Sequence, residues 1–77
     1  MSNVETFGQR LRRLRLRAGY TQQQLAARLT VSQAAVTAWE RQWHAPRPHS
    51  MRDLARMLGV TPHYLTEGHE APVRRAA

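Results

Sequence analysis

Seventy-seven residues allow a single domain, and a chain this short buries only about 60% of its extended surface, so a core fits but a deep catalytic pocket beside it does not. The absence of cysteine excludes disulfides and thiolate metal sites. Nothing resembles a signal peptide, and no apolar run approaches the roughly 18 residues of a membrane span, so a soluble, cytoplasmic location is expected. The net charge is +7, and all 12 basic residues are arginine, an excess that favours a polyanionic partner. An acidic membrane surface is the competing polyanion. The arginines lack the amphipathic face with exposed Trp, Phe and Leu that such a surface requires.

Val4 to Ala18 read as the first helix. Val4, Phe7, Leu11, Leu14 and Ala18 follow one another in steps of three and four and share a stripe, and Gly19 ends the helix. Arg10, Arg12, Arg13 and Arg17 point elsewhere, toward solvent or toward phosphates. Leu16 falls off the stripe. Arg15 does not, being four residues after Leu11, and a guanidinium placed there must be paired. Glu40, four residues after Val36 on the third helix, is the acidic residue placed to face inward. An Arg15–Glu40 ion pair is therefore predicted, against the alternative that both side chains snorkel outward separately.

The second helix opens at Thr21 with Gln24 completing a capping box, and turns Leu25, Ala26 and Leu29 inward. The third opens at Ser32 and carries Val36 and Trp39 inward. Only Leu29-Thr30-Val31-Ser32 separates the two, which allows nothing but a sharp corner. Gln33, Ala34, Thr37 and Ala38 face away from Val36 and Trp39. That outer face is uncharged, narrow and rich in groups that meet base edges, and it is read as lying in a DNA major groove. Arg41 to Ser50, with Pro46 and Pro48, forms a surface loop. A fourth helix opens at Pro48 or His49, with Met51, Leu54, Ala55 and Leu58 inside, and ends at Gly59. Thr61-Pro62 opens a short fifth helix reaching about Glu67, which packs Tyr64 and Leu65. The count is five helices and no strand: one domain over residues 1–68, then a frayed tail over 69–77.

From Phe7 to Gly68 the chain resembles the Cro/phage-repressor (XRE-type) helix-turn-helix family. The matching residues are Leu11-Arg12-Arg13-Leu14-Arg15, Gly19-Tyr20-Thr21-Gln22, Leu25-Ala26, Val31-Ser32, Val36, Trp39-Glu40-Arg41 and Pro46. They continue through Leu54-Ala55-Arg56-Met57-Leu58-Gly59-Val60 and Tyr64-Leu65. The resemblance implies an all-α, five-helix lambda-repressor-like domain. It further implies a transcriptional repressor from a prokaryotic, phage or plasmid source, binding a palindromic operator as a homodimer. It also implies the Arg15–Glu40 bridge. Four positions depart from the pattern: Thr30 stands where the turn usually has glycine, Gln42-Trp43 where Gly-Lys or Asn-Gly is usual, and Pro48 where an aliphatic residue is common.

Roles follow from the same resemblance. Gln22 corresponds to a phosphate-bonding position at a helix N-terminus, where free amides and the dipole favour an anion; the alternative is that it only caps its helix. Gln23 and Ser32, at the same two helix N-termini, join it. Gln33 corresponds to a base-reading position, and glutamine pairs bidentately with adenine. Ala34 and Ala38 offer methyl contacts, and Thr37 a bond to a base or a phosphate. Arg41, Arg47 and His49 lie in or beside the loop that family members place near phosphates; Arg28 is a weaker candidate. With no arginine on the reading face, much of the affinity is expected from backbone contact and part of the specificity from DNA shape. Trp43, Pro46, Tyr64 and Leu65 are assigned to a dimer interface, the alternative being packing within one chain.

Other classes fare worse. His44, His49, His63 and His69 match no zinc spacing. Ser32 and Ser50 are better read as caps than as nucleophiles, so neither an enzyme nor a cofactor site is expected. A second reading within the same fold is an antitoxin whose tail, Ala71–Ala77, folds on a toxin.

Overall fold

In the computed structural model, which describes residues 4–69, side-chain caps and prolines at the helix starts divide the described residues into five helices. Thr6 caps α1 (Phe7–Arg17), its hydroxyl accepting from Gln9 N while the Gln9 side chain accepts from Thr6 N. Thr21 and Gln24 repeat the capping box on α2 (Gln22–Leu29). Ser32 accepts from Ala35 N at the start of α3 (Gln33–Glu40). Pro48 takes the first position of α4 (Pro48–Leu58), and Thr61-Pro62 opens α5 (Pro62–Glu67). Proline fits there because the first amides of a helix have no partner within it. No strand occurs among the described residues. The tail residues Ala71–Ala77, on which the toxin reading rests, lie outside them.

α1 is shorter than periodicity alone suggests. Val4 was expected on its inner stripe but is 79% exposed, because the Thr6 cap starts the helix at Phe7. The core is built from Leu11, Leu14, Leu25, Val36, Leu54 and Leu65, all buried, with Trp39, Ala55 and Leu58 around them. α3 packs against both α1 and α2, α4 against α2 and α5, and α5 returns to α1. The third helix is thus held from two sides.

Arg10 does not face solvent or a phosphate. It is buried, and its guanidinium donates to Leu65 O at 2.9 Å, to Glu5 O at 3.0 Å and to Thr66 O at 3.4 Å. It stitches α1 to the last turn of α5, whose C-terminal carbonyls have no partner within the helix. Arg13 is also engaged: it makes two bonds to the Glu5 carboxylate and donates to Tyr64 Oη at 2.9 Å. Those bonds hold the Glu5 carboxyl below its ordinary value and push the Arg13 guanidinium further up, the Glu5 bond being the larger cause and the Tyr64 bond the next.

Four helices end in the same double closure, in which two amides past the helix bond back to its last turn. Gly19 and Gly59 take the left-handed position after α1 and α4. Thr30 (φ 59°) and Gln42 (φ 65°) take it after α2 and α3. The chain therefore does adopt a left-handed residue at Thr30, where glycine is the usual choice, at about 1–2 kcal/mol.

Candidate nucleic-acid interface

α3 exposes its first turn and buries the rest. Ser32, Gln33 and Ala34 are exposed, and Thr37 is partly so, whereas Val36 and Trp39 are sealed in the core. Ala38 corrects the sequence reading: it was placed on the outer face but is only 5% exposed. The helix ends in a reversal in which Trp43 N bonds to Ala38 O at 2.9 Å. The outer ridge is therefore Gln33, Ala34 and the outer edge of Thr37.

A polar network fixes the pose of this ridge. Arg15 grips Glu40 through two parallel bonds, Nε to Oε2 at 2.6 Å and Nη2 to Oε1 at 3.2 Å, and donates a third to Tyr20 O at 2.8 Å. Both side chains are less than a tenth exposed. A bidentate pair sets angle as well as distance, so the bridge orients α3 on α1. Gln22, at the first turn of α2, adds a link: its amide nitrogen donates to Glu40 Oε1 at 3.1 Å, and its amide oxygen accepts from Thr37 Oγ1 at 2.8 Å. The Gln22 side chain is thus turned toward α3, while Gln23 beside it is exposed.

Two residues in this scaffold escaped the sequence reading. Gly8 packs so tightly on the end of α3 that a Cβ there would sit 2.2 Å from the Glu40 carbonyl oxygen. Its amide donates to the side-chain oxygen of Gln42. α1 is therefore fastened to α3 at a second point, where only glycine allows the approach. Arg10, by contrast, carried a readable signal. It lies three residues after Phe7 and four before Leu14, on the same stripe that marked Arg15.

Exposed basic residues flank the ridge. Arg41 is exposed just past α3 and stacks over the Trp43 ring at 5.4 Å. Arg47 and His49, at the start of α4, are exposed and line a groove together with Val31, Ala35 and Trp39. This brings them to the flank of α3. Arg28 lies over the Tyr20 ring, away from that groove.

The residues assigned to a dimer contact do not form one surface. Pro46 and Leu65 are buried within the chain, and Tyr64 is partly buried with its hydroxyl held by Arg13; Trp43 alone of the four is well exposed, at 67%. Leu65, assigned to the dimer contact, packs within its own chain instead, fully buried in the core. Among the described residues no three His, Cys, Asp or Glu side chains cluster as metal ligands would, and no helix is long and apolar enough to cross a membrane.

Two short helices meeting at a sharp corner, the second held by its inner face and bare on its first turn, define a helix-turn-helix domain. The helix-turn-helix family model matches residues 11–65, and the chain belongs to that Cro/phage-repressor (XRE-type) family. Among solved structures it is similar to the P22 c2 repressor in complex with the synthetic operator 9T in the presence of Tl+. The identity is 29% and the TM-score 0.81, over 86% of this chain and 100% of that one. It is also similar to the solution structure of the DNA-binding domain of the P22 c2 repressor, residues 1–76. There the identity is 30% and the TM-score 0.75, over 83% of this chain and 84% of that one. No curated protein matches the sequence.

Proposed function

We propose that the protein is a transcriptional regulator that binds double-stranded DNA in a sequence-specific manner, acting as a repressor. The first turn of α3 enters the major groove, with Gln33 reading a base and Ala34 offering a methyl contact. Arg41, Arg47, His49, Gln23, Ser32 and the N-terminal amides of α2 at Gln22 face phosphates. The observation that carries this reading is the division of α3 into a sealed inner side and an uncharged, exposed first turn, on a chain of net charge +7. The operator complex of the similar P22 c2 repressor supports it. The chain acts as a homodimer on a palindromic operator, which would set two such helices about 34 Å apart. Exposed Trp43, beside the reversal that ends α3, is the residue assigned to that contact.

Selection of bound sequences from random duplexes, followed by footprinting, tests the reading. Gln33→Ala should weaken binding to the selected duplex by about 1–3 kcal/mol and leave random duplex nearly unchanged. Arg41→Ala and Arg47→Ala should weaken both alike and lower the salt slope by about one unit each. Equal losses on both duplexes for Gln33→Ala would remove its base-reading role, and no duplex affinity at low salt would remove the function. Trp43→Ala should shift self-association in sedimentation equilibrium; a monomer that footprints one half-site would reject the homodimer.

A further inference from the structure

The network behind α3 has a direction, and it decides what Thr37 presents outward. The Glu40 carboxylate, gripped by the Arg15 guanidinium, accepts hydrogen bonds and donates none. Gln22 must therefore turn its NH2 toward Glu40, which leaves its amide oxygen toward Thr37. That oxygen only accepts, so Thr37 must donate its single hydroxyl proton inward, at 2.8 Å. Thr37 is partly exposed, and what its side chain still has to offer is a pair of oxygen lone pairs and the γ-methyl group.

We propose that Thr37 is a specificity-determining residue that accepts a hydrogen bond from the exocyclic amine of a base, adenine N6 or cytosine N4, and makes no bond to phosphate. The proposal rests on the DNA-binding reading above. Phosphate oxygens only accept, so a bond to one would take the Thr37 proton away from Gln22 and strand the Gln22 oxygen in a part-buried site. In the major groove the exocyclic amines of adenine and cytosine are the donors on offer; guanine presents acceptors, and thymine an acceptor and a methyl group. The Arg15–Glu40 bridge thereby reaches the reading face: through Gln22 it fixes which hydrogen-bonding partner Thr37 takes.

The full chain, Thr37→Val and Thr37→Ser are each used to select from the same library of random duplexes. Valine keeps the methyl and removes the oxygen; serine does the reverse. The unmodified protein and Thr37→Ser should share a preference for adenine or cytosine at one position of each half-site, and Thr37→Val should lose it by about tenfold. In the duplex selected by the unmodified protein, that adenine is replaced by purine, or that cytosine by 2-pyrimidinone, which deletes the amine alone. The unmodified protein should lose about tenfold and Thr37→Val less than twofold. An unchanged profile with valine, a preference lost with serine but kept with valine, or equal weakening of selected and random duplex by valine would each overturn the inference while leaving the function standing. A protein that enriches no sequence at all would overturn both.

Discussion

The ends of α1 and α4 and the ends of α2 and α3 close through the same pair of backbone bonds, but not with the same residues. After α1 and α4 the left-handed position is glycine, at Gly19 and Gly59. After α2 and α3 it is Thr30 and Gln42, so both turns that bracket the exposed helix carry a side chain where glycine is easier. At Gln42 the reason is visible, since its side chain accepts the buried Gly8 amide and ties α3 to α1. Among the described residues no hydrogen bond from the Thr30 side chain offsets its conformation. The difference teaches that a turn can be chosen for what its side chain holds, and that the two sides of one helix need not be treated alike.

The comparison can be broken most severely at the network it protects. Glu40→Gln leaves Arg15 buried without a counter-charge and should cost about 3–5 kcal/mol in urea unfolding; an unchanged midpoint would mean that the bridge does not support α3. Gly8→Ala drives a methyl into the Glu40 carbonyl and should cost about 1–3 kcal/mol or more, with weaker binding to a selected duplex than stability alone explains. Gln42→Gly relaxes the backbone but strands the Gly8 amide, and a net loss of about 1 kcal/mol is expected. Thr30→Gly only relaxes the backbone and should gain about 0.5–1 kcal/mol, raising Tm by a few degrees. If the two glycine variants shifted Tm equally, the distinction between the turns would vanish. The smallest effect is acid-sided. Because the Glu5 carboxyl is lowered by Arg13, its contribution is present above the ordinary carboxylate range and fades as pH falls through the lowered value. Glu5→Gln should flatten that part of the stability profile.

Much of this architecture was legible because local signals agreed with one another. Thr21 with Gln24, Ser32, Pro48 and Thr61-Pro62 are helix starts that need no tertiary context, and α2 to α5 begin at them. α1 was drawn too long because Thr6 and Gln9 form the same box as Thr21 and Gln24 but lie inside an apolar rhythm that masks it. Arg15 was marked as needing a partner by the stripe, and Glu40 stands 2.6 Å from it. Arg10 met the same criterion, yet its hydrogen bonds go to backbone carbonyls of Glu5, Leu65 and Thr66, which no pattern of side chains announces. Ala38 lies opposite the inner stripe by periodicity yet is buried, because α3 packs against both α1 and α2 and so has more than one inward side. Pro46 and Leu65 were assigned to a dimer contact from the family's loop and last helices, whereas in this chain both turn inward and take the alternative, packing within one chain.

The chain's two tryptophans occupy opposite worlds. Trp39 is 4% exposed among aliphatic side chains, and Trp43 is 67% exposed four residues later, stacked with Arg41. A soluble quencher should therefore darken one and spare the other. A Trp43→Phe chain would leave an emission that follows unfolding alone, and a Trp39→Phe chain one that follows whatever settles beside Arg41. The molecule carries two built-in lamps, one for its interior and one for the rim of its candidate duplex surface.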